Sequence, residues 1–152
     1  MQNIALSTHG KTQMEVLSEW IDRLTAAIRE HDTLHFVTAG FLSFAVYNTM
    51  APHLSCMTIH LYPHEDDVEP SDNAISNFAS DHIPLLVTEI SSLHGSPDFV
   101  EDFIKRHNNR VSGWMWHYHG ETPEEIGEPE TIVEALWKIA LEKFKEMAPN
   151  QQ

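Results

Sequence analysis

The run Val111-Ser-Gly-Trp-Met-Trp-His-Tyr-His-Gly120 constrains this chain more than any other. It alternates residue by residue, as a β-strand does, because successive strand side chains point to opposite faces. Ser112, Trp114, Trp116 and Tyr118 fall on one face, an aromatic slab. Val111, Gly113, Met115, His117 and His119 fall on the other, which ends in two imidazoles two residues apart. So much apolar area on one side requires a packed layer against it, and large apolar residues are mostly inside. Covering by another subunit, and so a homodimer, is the other way to bury a slab of tryptophan and tyrosine.

Upstream, Thr12-Gln-Met-Glu15 is a capping box, in which the threonine and the glutamate satisfy each other's free backbone N–H groups. Met14, Leu17, Trp20, Ile21, Leu24, Ala27 and Ile28 follow at helical spacing, which predicts a helix over 12–30. Residues 1–11 read as a flexible arm. The β-branched and aromatic stretch 33–38 predicts a strand, and 41–50 a second strand forming a hairpin with it, although 41–50 also fits a helix. Residues 55–62 alternate, with Met57, Ile59 and Leu61 on one side and Cys56, Thr58, His60 and Tyr62 on the other. One packed and one more polar face is the signature of an antiparallel sheet. A short helix is expected around 73–80. Pro84–Ile90 reads as a strand covered on both faces.

Ser96-Pro97 opens a helix that ends at Asn108-Asn109, because serine caps and proline is tolerated at the first helical position. Pro129 opens the last helix, which runs to about Met147. The elements add up to one α+β domain. Its expected core is a single, mainly antiparallel sheet of about five strands. Two long amphipathic helices, N- and C-terminal, pack on it with a third.

The chain has 152 residues, a length that buries a sizeable core without disulfides. Its lone cysteine, Cys56, and an N-terminus without basic and apolar signal regions point to the cytoplasm. Nine basic residues against twenty-three acidic give a net charge of −14. Such a field repels phosphate backbones and anionic membranes and attracts a basic protein. No glycine-rich phosphate loop and no nucleophile elbow is present.

Two functional readings follow. The first is a non-enzymatic binding protein, inhibitor- or immunity-like, that docks a basic partner on two acidic loops and takes no cofactor. Its binding residues would be Glu65, Asp66, Asp67, Glu69, Glu121, Glu124 and Glu125. The second is a small metal-dependent hydrolase. His60, His117 and His119 would hold one zinc or other transition-metal ion if their strands are neighbours, and Glu121 could serve as general base. The charge balance favours the first.

Overall fold

A computed structural model describes residues 10–41, 54–79, 83–117 and 120–148. In chain order its elements are α1 (Gln13–Arg29), β1 (Gly40–Phe41), β2 (Met57–His60), α2 (Glu69–Phe78), β3 (Leu85–Ile90), α3 (Pro97–His107), β4 (Gly113–Trp116), α4 (Pro123–Ile126) and α5 (Ile132–Met147). The strands form one sheet in the order β1-β2-β3-β4, and every neighbouring pair is parallel. Three are full strands; β1 contributes two residues at one edge.

This overturns the expected antiparallel sheet of about five strands. The reason lies in the connections. Parallel neighbours need a crossover of a dozen or more residues, usually a helix, and α2 and α3 supply one between β2 and β3 and one between β3 and β4. The alternation at 55–62 was no sign of a half-solvated sheet: Met57, Thr58 and Ile59 are all buried. Residues 33–38 lie outside the sheet, and strand structure begins only at Gly40. The expected strand at 41–50 falls, beyond Phe41, outside the described residues, as do the first nine residues of the expected arm.

Two helices start at their expected caps, whereas the last begins at Ile132 rather than Pro129, α2 spans Glu69–Phe78 rather than 73–80, and α4 falls where a loop was expected. Thr12 accepts from the Glu15 N–H and Glu15 reaches back to the Thr12 N–H. Ser96 accepts from the Phe99 N–H ahead of Pro97. Thr122 and Thr131 build the same reciprocal box at α4 and α5.

All four long helices feed one core. Ile21 of α1, Ile75 and Phe78 of α2, Val100, Phe103 and Ile104 of α3, and Phe144 of α5 pack with Met57, Ile59, Leu85, Val87, Ile90, Trp114 and Trp116. Those strand residues share one face of the sheet. Trp114 meets Phe103 edge-on at 6.2 Å between ring centroids, and Trp116 meets Phe144 at 5.4 Å. Trp114 and Trp116 of the aromatic slab are therefore half-buried against the core beneath α3 and α5, and Tyr118 lies outside the described residues. A sequential parallel sheet with right-handed crossovers carries its helices on one side. The opposite face, holding Thr58, His60, Leu86, Gly113, Met115 and His117, adds nothing to this core. Among the described residues, no helix is long and apolar enough to cross a membrane.

Candidate active site

Four side chains meet at the carboxyl-terminal edge of the sheet. His60 is the last residue of β2, Tyr62 follows it by two, Glu89 is the penultimate residue of β3, and His117 immediately follows β4. The Tyr62 hydroxyl donates to Glu89 Oε2. His60 Nδ1 lies 3.3 Å from the same oxygen and His117 Nδ1 lies 3.4 Å from it. The Tyr62 and His117 rings stand edge-to-face, 5.8 Å apart. Glu89 is 28% exposed, so the cluster is sheltered but open to a ligand. In parallel α/β sheets this edge is where ligands bind, because loops gather there on a rigid base.

A β-bulge aims Glu89 into the cluster. Val87 pairs with Trp114 but Ile90 with Trp116, so β3 spends three residues where β4 spends two. The same extra residue appears against β2, where Ile59 pairs with Val87 and His60 with Glu89. Unbroken alternation from buried Val87 would send Glu89 into the helix-covered core. The bulge at Thr88 lets both Val87 and Ile90 face the core and turns Glu89 to the side of His60 and His117. Bulges commonly re-aim a side chain in this way. His60 is held from behind. A Cβ on Gly40 would stand 2.8 Å from His60 Nε2, so β1 passes this close only because it has glycine there.

The Tyr62 phenol is pushed up from its ordinary 10.0 to about 12. Burial is the largest cause, followed by the hydrogen bond to Glu89 and that group's negative charge. Tyr62 thus stays a protonated donor through the neutral and moderately alkaline range.

Comparison with protein families, curated proteins and solved structures returned no match. The chemistry must therefore be read from the cluster itself.

Of the three histidines proposed as metal ligands, the fold brings His60 and His117 together across β3. His119 lies outside the described residues. The two imidazoles converge on a carboxylate, and among the described residues no group of three His, Cys, Asp or Glu side chains is placed to hold a metal ion. The seven carboxylates of the two acidic loops are all exposed. Several have local tasks: Glu65 accepts from the Ser96 N–H, Glu124 pairs with Lys145, and Glu125 caps α4. Glu121 sits in the loop before α4.

Glu89 was the residue that sequence reading missed. Its signal was present: it is the one charged residue in the apolar run Leu85–Ile90, next to that strand's end. The apolar run at 84–90 reads as a strand covered on both faces, which leaves no place for a carboxylate to act.

Proposed function

We propose that the chain carries a hydrolytic site in which Glu89 is the reacting carboxylate, and that its substrate is a glycoside. The observation behind this reading is the convergence of Tyr62, His60 and His117 on one Glu89 oxygen at the carboxyl-terminal edge of a parallel sheet. The Tyr62 hydroxyl holds the Glu89 carboxylate in one orientation, and an oriented carboxylate can act as a nucleophile. The net charge of −14 disfavours phosphorylated and other anionic substrates and leaves neutral ones. Carboxylate nucleophiles acting on neutral substrates are the hallmark of glycosyl transfer to water.

In this reading a Glu89 oxygen attacks the anomeric carbon as the bond to the leaving-group oxygen breaks. The leaving oxygen takes a proton from solvent water. A second water then attacks the glycosyl ester, returns a proton to solvent and frees Glu89. His60 and His117 lie on the Glu89 side, where their N–H groups suit sugar hydroxyls. Tyr62 positions the carboxylate and spreads its charge.

The test is a panel of aryl glycosides with wild-type protein and Glu89→Gln. Turnover of at least one glycoside is expected, with a loss of roughly a thousandfold or more in the variant, the scale on which removing a group that acts in the transition state registers. Equal turnover by both proteins would end the proposal. The alternative, an acidic face for a basic protein, is supported by charge alone. Charge reversal at Asp66 and Asp67 that left such binding unchanged would remove it.

A further inference from the structure

Leu93 stands in the loop that follows β3 and is 58% exposed. With Ser92 of the same loop and Val133, Leu136 and Trp137 of α5 it lines a groove of about 230 Å³. Val133 and Leu136 are each 61% exposed, and exposed Ile132 and Ile139 continue the apolar stripe along α5. The groove lies at the sheet edge that carries the Glu89 cluster. Ser92 follows Glu89 by three residues, which limits their Cα separation to about 11 Å. The helix that forms the other wall spans the carboxyl-terminal ends of both strands. It meets the loop after β3 in this groove, and through Phe144 it meets Trp116, the last residue of β4 and the neighbour of His117.

The loop that carries Leu93 is tied down. The Glu65 N–H donates to the His94 carbonyl at 2.9 Å, and the Ser96 N–H donates to Glu65 Oε2 at 3.0 Å. The His64 and His94 rings stack 5.3 Å apart. A wall held in this way binds a ligand with little ordering cost. Volume, area and charge select the occupant. A pocket for a whole small molecule takes roughly 300–1,000 Å³, so this groove suits one part of a ligand. The exposed apolar side chains around it offer on the order of 500 Å², the upper range for a monomer and short of the roughly 800 Å² that each partner of a stable dimer buries. A net charge of −14 also opposes association with a second copy.

We infer that this groove is the subsite for an apolar leaving group, so that the substrate is a glycoside of an alkyl or aryl alcohol. The sugar end of the inference rests on the glycosidase reading, and the apolar end rests on the groove alone. The sugar sits at the Glu89 cluster, and the aglycone passes over the ends of β3 and β4 into the groove. Leu93 and Leu136 then set the preference for the leaving group, and the freed alcohol departs from between them.

Isothermal titration of Glu89→Gln with methyl, butyl and hexyl glucosides, below their micelle concentrations, tests the inference without turnover. Each methylene that the groove buries should tighten binding roughly fourfold. Adding Leu93→Gln or Leu136→Gln should flatten that dependence, whereas Leu24→Gln, on the exposed stripe of α1, should leave it unchanged. These three positions are 44–61% exposed, so the substitutions leave the fold intact, which far-ultraviolet circular dichroism verifies. Affinity independent of chain length, or a chain-length effect that survives both groove substitutions, would overturn the inference. So would a wild type that sediments as a dimer and that Leu136→Gln makes monomeric, since a second copy would then cover the stripe. Chain-length-dependent binding without turnover of hexyl glucoside by the unsubstituted protein would support the groove and count only against Glu89 as nucleophile.

Discussion

Replacing Glu89 with glutamine should move the ionisation of a different residue. Tyr62 ionises near pH 12 rather than 10.0, a hundredfold change in its acid constant. Of the three causes, burial survives the substitution. The charge disappears, and the acceptor becomes a neutral amide oxygen, about half as strong a partner as a carboxylate. The pKa should therefore fall by roughly one unit and remain above the ordinary value. The phenolate absorbance in the near ultraviolet reads this directly. The chain has three tyrosines, so the Tyr62 contribution is the difference between each protein and its Tyr62→Phe counterpart. The same shift has a sign in stability. Tyr62 binds its proton more tightly folded than unfolded, so its contribution is complete below pH 10 and is lost as pH climbs from 10 to about 12. Urea midpoints should drop across that window more in wild type than in Tyr62→Phe. A Tyr62 that titrates identically with glutamate or glutamine at 89 would mean that the two side chains do not meet, and the site would have to be redrawn.

Other consequences are as direct. Deleting Thr88 removes the extra residue and leaves strict alternation, Val87 inward, Glu89 outward and Ile90 inward, so Glu89 should keep its side of the sheet and Tyr62 should still ionise well above its ordinary value. A deletion variant in which Tyr62 ionises at its ordinary value would contradict Thr88 as the bulged residue. Gly40→Ala places a methyl carbon 2.8 Å from His60 Nε2, so His60 must shift, and its ring proton resonances should move while helix content stays constant. Unchanged resonances would contradict the close approach of β1. Phe103→Ala empties the most enclosed aromatic position, between Phe99, His107 and Trp114. It should cost about 3–5 kcal/mol in urea unfolding, and a loss under about 1 kcal/mol would contradict the packing described.

Much of this architecture could be read from the residues, and the parts that could not share a physical cause. The capped helices at Thr12 and Ser96 and the alternating strand around Trp114 depend on interactions within a few residues, which local sequence encodes. Strand direction does not. The order strand, helix, strand, helix, strand over 55–119 implies crossovers and parallel neighbours, the alternation at Met57–Leu61 implies an antiparallel sheet, and the structure follows the connections. The site followed the same division. His60, His117 and His119 read as a possible converging trio from their places on the strands, and of these the described residues bring His60 and His117 together. The charge of Glu89 in an apolar run marks it, but its side cannot be read from periodicity, because a bulge set by pairing with two neighbouring strands reverses it. A one-residue irregularity of that kind leaves no trace in periodicity.

The central claim is that Glu89 is the group that attacks. Incubating the protein with activated 2-deoxy-2-fluoro glycosides, whose fluorine slows hydrolysis of a glycosyl ester, and mapping the adduct by peptide mass spectrometry tests it most directly. The account predicts one glycosyl group per site, on the peptide containing Glu89, and none in Glu89→Gln. An adduct on another carboxylate, or turnover of glycosides with Glu89 unlabelled, would contradict it.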